Sequence, residues 1–595
     1  MPFPSPPGSD QPHPQRRSIA SVLLLSASLL GACAGTPLGS GGVVDGSGSV
    51  LASSSGIDLD RPSAAGDYLA GRFALDQGDL RSAADSFERA LVADPDNVEL
   101  RRQIFLLNLA SGDMDGAMRG AEELSAIDPE ADEVDLVFAL REAERGNFAG
   151  AQQSLARISP RGVAGLAAPL LAAWMQFGDG QVDKALAGLR AGPADDGLDL
   201  LRRYHESMML ALGGHDREAL QVMSRVVGGE EPAPLRFVQA MAALKARLGD
   251  APGAVELLRQ QVVLGGGDGT VGELLAAAEA GRLPELPVNG PSAGMADALI
   301  GVAEALSQQR AGPQGLLYAR LAAYLQPDRG DVWLLIGRIE QSQGNAAEAI
   351  RAYDKVPADS PFAWEARLAR ADALATAERT DEAVALLREM AEQRPQRTDA
   401  LRELGDLFRR KERFPEAEKA YGDAIDRLPK IEPEDWRLFY ARGIALERMG
   451  RWPDSEASLS RALELAPDQP LVLNYLGYSW VDQGQNLDRA KAMLHRAVEL
   501  RPQDGFIVDS LGWAYFRIGE FDNAVTQLER AVELEPGDPV INDHLGDAYW
   551  RVGRLREARF QWQRALTLKP EDDVVAQIET KLERGLPATS SAKRG

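Results

Sequence analysis

Along most of the chain, apolar residues recur at helical spacing in pairs of segments separated by short polar turns. In residues 505–538 the first apolar face has the i, i+3, i+4, i+7 spacing of one side of a helix: Val508, Leu511, Gly512 and Tyr515. Gly519 follows, and glycine tolerates the left-handed conformation of a helix C-terminus best. A second apolar face comes next: Ala524, Leu528 and Ala531. Pro536 ends it, because proline cannot continue a helix. The pattern predicts two packed antiparallel helices.

This helix pair recurs with a period of 34 residues. Near the N-terminus five glycines keep the period: Gly78, Gly112, Gly146, Gly180 and Gly214. Near the C-terminus Pro502, Pro536 and Pro570 keep it. A single helix pair cannot bury its apolar face alone, so neighbouring pairs must stack. The sequence therefore predicts an all-α superhelical solenoid of about 13–14 helix-turn-helix repeats.

The paired motifs Leu476-Gly477, Leu511-Gly512-x-x-Tyr515 and Leu545-Gly546-x-x-Tyr549 resemble the tetratricopeptide (TPR) repeat. The resemblance is sharpest over 333–570, clear over 64–131 and degenerate over 132–260. It implies a non-catalytic scaffold that binds proteins on a concave face lined by the first helix of each repeat.

The 34-residue register is lost between residues 263 and 295, which hold three glycines in a row and several prolines. We interpret this stretch as a junction between two arrays. The predicted order is an N-terminal array (64–262), the junction (263–295), a C-terminal array (296–572), a capping helix (573–586) and a disordered tail (587–595). The alternative is one degenerate repeat inside a continuous superhelix.

The N-terminus has the features of an export signal. Arg16 and Arg17 precede an apolar run over 19–30, which is too short to span a bilayer. The run ends in Leu30-Gly31-Ala32-Cys33, which resembles the bacterial lipobox. The resemblance implies a signal peptide (1–32), acyl chains such as palmitate on Cys33, and attachment to the periplasmic face of the outer membrane. The Gly/Ser-rich stretch 33–63 is interpreted as a flexible tether. The alternative is an ordinary signal peptide with an incidental cysteine.

Charge and composition exclude several kinds of function. With 65 Lys and Arg against 89 Asp and Glu, the chain has a net charge of −24, which argues against binding nucleic acid. A single cysteine excludes an intramolecular disulfide or a Cys-ligated metal cluster. Residues 267–272 match GxGxxG and residues 290–294 match GxSxG, but helical repeats flank both, whereas these motifs require strands. We predict no catalytic residues, no metal and no cofactor.

The last three first helices carry large and polar residues on the side opposite their core. We predict that these bind a partner: Asn474, Tyr478, Asp509, Trp513, Phe516, Asp543, Asp547, Trp550 and Arg551. Exposed aromatic residues beside polar groups are typical of interface hot spots. The alternative is that Trp513 and Phe516 pack between neighbouring repeats. His544 fits either a polar binding patch or a solvated or hydrogen-bonded histidine.

The runs 505–515 and 542–551 resemble the C-terminal signature of a family of Gram-negative TPR outer-membrane lipoproteins. One member of that family is an adaptor that brings a periplasmic carboxyl-terminal-processing serine protease to peptidoglycan hydrolases. The resemblance implies that this chain recruits a periplasmic protease and cell-wall hydrolase substrates. The alternative function is an assembly scaffold for the export of exopolysaccharide or another envelope component.

Overall fold

The computed structural model describes residues 63–128, 131–192, 198–227, 233–265 and 269–587. Throughout these ranges the secondary structure is helical and contains no strand. Cys33, the predicted signal peptide and the predicted tether up to residue 62 lie outside the described residues, as does the predicted tail beyond residue 587. Among the helices that are described, none combines the length and the apolar character needed to cross a membrane.

The chain divides into two compact units between Ala383 and Val384. The helices of the first unit are α1 (Ala64–Asp76), α2 (Leu80–Leu91), α3 (Val98–Ser111), α4 (Met114–Ile127), α5 (Asp132–Glu144), α6 (Phe148–Leu155), α7 (Val163–Gly178), α8 (Val182–Arg190), α9 (Asp199–Leu212), α10 (Asp216–Met223), α11 (Leu235–Arg247), α12 (Ala251–Gly265), α13 (Thr270–Glu279), α14 (Pro291–Gln308), α15 (Gly312–Leu325), α16 (Gly330–Ser342), α17 (Ala346–Tyr353) and α18 (Ala363–Thr376).

Helix α19 (Thr380–Gln393) contains the boundary between the units. The second unit continues with α20 (Asp399–Arg410), α21 (Phe414–Asp426), a 3-10 turn (Pro433–Asp435), α22 (Trp436–Arg448), α23 (Trp452–Leu465), α24 (Pro470–Asp482), α25 (Leu487–Leu500), α26 (Gly505–Ile518), α27 (Phe521–Leu534), α28 (Pro539–Arg551), α29 (Leu555–Thr567) and α30 (Asp572–Arg584).

Within the described residues, thirteen helix-turn-helix pairs pack together, six before α13 and seven after it, and α30 follows the last pair. This confirms the predicted all-α repeat solenoid. The predicted helix end at Gly519 has φ 87°, and the N–H of Glu520 donates to the carbonyl of Tyr515 at 2.9 Å. In the turn between α24 and α25, both Gly484, with φ 68°, and Asn486, with φ 47°, adopt the left-handed conformation.

In the first unit, α14 and α15 lie against the first helices of the N-terminal repeats. Helix α14 contacts α7 and α9, and α15 contacts α3 and α5. Every residue of α14 from Ala293 to Ala303 is buried. Gly294 lies so close to the indole of Trp174 that a Cβ there would collide with the ring. The chain therefore covers this first-helix face with its own helices.

A buried polar network accompanies this packing. Asp297 of α14 is fully buried, and Arg329 donates to it at 2.8 Å. Burial would raise the pKa of Asp297, but the charges of Arg329 and Arg236 outweigh it and lower the pKa. On the facing helices, the Trp174 indole N–H donates to Nδ1 of His205 at 3.1 Å. Burial lowers the pKa of His205 to about 4, so this histidine is neutral at pH 7.

The division of the chain lies within α19 rather than at the predicted junction, 263–295. Helix α13 and the segment after it pack into the first unit, where Ala278 and Val288 are buried. One hydrophobic core runs there from Phe105 to Ala352. The 34-residue register fails across 263–295 because α13 is a single helix without a partner in a pair.

Candidate protein-binding face of the C-terminal repeats

The first helices of the last three repeats, α24, α26 and α28, lie side by side. Their core positions are buried as the sequence predicted, with Leu476, Leu511 and Leu545 at most 1% exposed. A Cβ at Gly512 would lie 2.6 Å from Leu528, so only glycine allows the two helices of this repeat to approach so closely. Asp504 begins α26 by accepting the N–H of Ile507 at 3.2 Å. This packing fixes the orientation of the three helices, and therefore the direction of the predicted partner-binding side chains on their other side.

Aromatic rings form a stack that joins α26 to α28. The ring of Trp513 stacks on His544, with centroids 4.0 Å apart, and on Phe516, with centroids 4.7 Å apart. The guanidinium of Arg551 lies 6.0 Å from the centre of the Phe516 ring. Trp513 and Phe516 are only half-buried. They thus pack between repeats, as the alternative interpretation held, and also present part of their surface to solvent.

His544 is held by a carboxylate beneath the stack. Its Nδ1 lies 3.0 Å from Oδ1 of Asp509 on the neighbouring helix, and both residues are buried. Burial lowers the pKa of His544, but the charges of Asp509, Asp543 and Asp547 outweigh it and leave the pKa above its usual value. Of the two interpretations of His544, the structure shows the hydrogen-bonded one.

Two further predicted residues are buried in an ion cluster. Nζ of Lys581, on α30, lies 2.7 Å from Oδ2 of Asp543 and 2.9 Å from Oδ2 of Asp547. The indole N–H of Trp562 donates to the other oxygen of Asp547 at 2.9 Å. Burial and then the charge of Asp543 raise the pKa of Asp547 to about 6, although Lys581 opposes this shift. Asp543 and Asp547 therefore have a partner within the chain.

The C-terminal segment also covers the end of α28. Trp550 packs against Trp562, with ring centroids 5.4 Å apart, and against Gly585. Nη1 of Arg551 donates to the carbonyl of Pro587 at 2.8 Å. The four predicted residues of α28 are thus engaged by the chain's own C-terminus, with Arg551 also flanking the aromatic stack.

The remaining predicted residues lie on α24 and α26. Asn474 and Tyr478 are half-buried, and Oδ1 of Asn474 accepts no hydrogen bond in the part of the chain that the structure describes. Burial and the charge of Asp509 raise the pKa of Tyr478. Sequence reasoning missed Lys581 as a member of the site. The i, i+4 spacing of Asp543 and Asp547 was the available signal, because two buried carboxylates on one helix face need a cation.

Models of tetratricopeptide repeats match residues 74–141, several overlapping windows over 334–505, and 512–553. The chain contains tetratricopeptide repeats. A TPR repeat-containing protein of Pseudomonas aeruginosa is 30% identical over 191 residues. The match covers 32% of this chain and 31% of that protein, so the chain spans about a third of the length of this relative.

Solved TPR-type structures resemble the fold at low sequence identity. The Cut9–Hcn1 assembly of the APC/C is 16% identical, with a TM-score of 0.36, over 87% of this chain and 96% of that one. A tetratricopeptide repeat protein from Parabacteroides merdae is 13% identical, with a TM-score of 0.34, over 42% and 97%. Tetratricopeptide repeats are typically non-catalytic scaffolds for protein–protein interaction.

Proposed function

We propose that this protein is a non-catalytic adaptor whose partner binds α24 and α26 in the second unit. The observation that carries the proposal is the half-exposed stack of Trp513 and Phe516 beside Arg551. Trp, Phe and Arg supply most of the binding energy at many interfaces when polar groups surround them. Helices α14 and α15 cover the corresponding face of α3, α5, α7 and α9, which supports the C-terminal repeats as the proposed binding site.

The proposed location is the periplasmic face of the outer membrane, with a lipid on Cys33 as the anchor. The lipobox-like sequence supports this location. The resemblance of runs 505–515 and 542–551 to the lipoprotein signature supports a periplasmic serine protease as the partner and cell-wall hydrolases as the recruited substrates. The second candidate function is a scaffold for the export of exopolysaccharide or another envelope component, which the same anchor and repeats would serve.

Replacing Trp513 and Phe516 together with alanine is expected to weaken partner binding at least tenfold. Loss of one buried aromatic anchor commonly costs about 2 kcal/mol, and tenfold corresponds to about 1.4 kcal/mol. The measurement is co-purification of a periplasmic serine protease from detergent-solubilised envelopes, followed by titration of the purified protease. Circular dichroism is expected to show that helicity is retained, because both rings are only half-buried.

The matched control is the pair Leu555→Ala and Phe560→Ala, which removes two exposed apolar side chains from α29, outside the proposed binding helices of the same unit. This control should bind the partner as the wild type does. Equal binding by the Trp513 and Phe516 variant would place the partner elsewhere. Enrichment of an export porin or polysaccharide synthase in place of a protease would favour the second candidate function.

Replacing Cys33 with serine is expected to release the protein from the membrane fraction. Serine has no thiol to carry the acyl chains, and each buried CH₂ contributes about 0.8 kcal/mol to membrane binding. Membrane fractionation and the mass of the mature N-terminus measure the effect. A variant that matures and fractionates like the wild type would contradict the lipoprotein proposal without affecting the adaptor proposal.

A further inference from the structure

The first unit contains a cavity of about 330 Å³. The residues that line it carry a net positive charge, whereas the chain as a whole is negatively charged. Four cations line it: Arg81 of α2, Arg320 of α15, Arg351 of α17 and Lys355 just after α17. Glu348 is the one carboxylate among the lining residues. In a chain with 89 acidic and 65 basic residues, such a concentration of positive charge is unexpected.

Two of these cations have carboxylate partners and two do not. Arg351 is paired with Glu348, and Arg320 is paired with the buried Glu340 at 3.0 Å. Within the described ranges, neither Arg81 nor Lys355 forms an ion pair or a side-chain hydrogen bond with a carboxylate. Both side chains are exposed, so their charges are available to a ligand.

The positive charges act on one another across the cavity. The partial burial of Lys355 beside Trp333, and then the charges of Arg320 and Arg81, lower the pKa of Lys355. Burial also lowers the pKa of Arg320, and the charges of Arg351 and Arg81 add to this shift against the opposing charge of Glu340. An anion in the cavity would relieve this repulsion.

The wall of the cavity is built from buried residues. Arg320 is 7% exposed, and its Nε donates to the carbonyl of Ala110 at the end of α3 at 2.9 Å. Trp333 is 8% exposed, its indole N–H donates to the carbonyl of Pro327 at 2.6 Å, and Nζ of Lys355 lies 4.1 Å from the centre of its ring. The geometry of Arg320 and Trp333 is thus fixed before any ligand arrives.

A nearby carboxylate is already used by the fold. Asp79 begins α2 by accepting the N–H of Ser82 at 3.1 Å. Hydrogen bonds from Ser82, and then the charges of Arg351 and Arg81, lower the pKa of Asp79. The charges of Arg351 and Arg81 therefore act on Asp79 as well. Among the residues that the structure describes, no carboxylate forms an ion pair with Arg81.

We propose that this cavity binds a compact oxyanion group, either a phosphoryl group or clustered carboxylates. Arg81 and Lys355 would pair with the anion, while Arg320 and Trp333 form the rigid floor. Guanidinium groups match the geometry of both oxyanions, since they donate two parallel hydrogen bonds. The cavity shares no residue with the aromatic stack of Trp513 and Phe516, so this proposal does not depend on the proposed adaptor function.

Inorganic phosphate and citrate are the two probes, each titrated calorimetrically into the full-length chain at constant ionic strength. We expect saturable binding of at least one of them. Replacing Arg81 and Lys355 together with glutamine should weaken this binding at least tenfold. The control pair, Arg119→Gln with Lys184→Gln, removes the same charge from exposed positions on α4 and α8 and should bind within twofold of the wild type.

The two probes separate the sources of the ligand. Saturation by phosphate alone indicates a phosphorylated ligand, saturation by citrate alone a carboxylate-rich one, and saturation by both an oxyanion site of broad specificity. If neither anion binds saturably, or if the variant lacking Arg81 and Lys355 binds as tightly as the control pair, the proposal is overturned. Unchanged circular dichroism of both pairs shows that the comparison concerns the site and not the fold.

Discussion

Replacing Lys581 with methionine is expected to destabilise the last repeat by roughly 3–5 kcal/mol. The change leaves Asp543 and Asp547 buried beside each other without the cation that contacts both. It should also loosen α30, because Lys581 forms the ion pairs that join α30 to Asp543 and Asp547 of α28. Amide hydrogen exchange of peptides from α28, α29 and α30 measures the effect locally, as repeat arrays do not unfold in a single transition.

The pH dependence of this effect distinguishes charge from packing. The pKa of Asp547 in the folded protein, about 6, is raised above its usual value, so its charged form costs stability as pH rises through that value. Without Lys581 the pKa rises further. The loss of stability relative to the wild type should therefore be larger at pH 8 than at pH 5, because Asp547 takes up a proton at the lower pH. A deficit independent of pH would show that lost packing dominates.

The matched control is Lys430→Met, which removes an exposed lysine paired with Glu432 in the same unit. Exposed ion pairs contribute about 0–1 kcal/mol, so little change is expected. If α30 is released, the α28 residues that it covers become accessible. Stronger partner binding by the Lys581 variant would then identify the C-terminal segment as a competitor for the first-helix face.

Replacing Arg329 with methionine is expected to destabilise the first unit by a similar amount, roughly 3–5 kcal/mol. Asp297 is fully buried on α14, and Arg329 is the residue that donates to it. The remaining charge of Arg236 neutralises it only in part, because Arg236 is itself paired with Glu304 at 2.8 Å. Hydrogen exchange of α14 and α7 measures whether α14 loosens from the N-terminal repeats.

The same substitution at Arg259 serves as a control, because that residue is half-exposed on α12 and pairs with exposed glutamates. Its effect should stay within about 1 kcal/mol. Adding Asp297→Asn to the Arg329 variant should recover part of the lost stability, since the uncompensated charge is then removed. No recovery would mean that Arg329 acts through its aliphatic packing and not through its charge.

In the C-terminal repeats, local sequence patterns predict the contacts within a helix pair but not the contacts between repeats. Leu511, Gly512 and Gly519 occupy the predicted packing, close-approach and helix-end positions. Their roles depend on residues within one helix pair, and spacing along the chain specifies such contacts. Trp513 stacks between Phe516 and His544 of the next repeat. The repeat period predicts that these two helices are neighbours, but it does not specify the stacking of Trp513 on a residue 31 positions away.

Local periodicity and turn chemistry predict the helix pairs, their period and the apolar positions that pack within each pair. Which first-helix faces remain accessible depends instead on packing between distant parts of the chain, as the burial of Asp509, Asp543 and Asp547 shows. Helices α14 and α15 cover the N-terminal repeats, and Lys581 brings the C-terminal segment onto Asp543 and Asp547. These contacts join residues far apart in sequence, and buried charges and close packing select them among many arrangements that the same amphipathic pattern would allow.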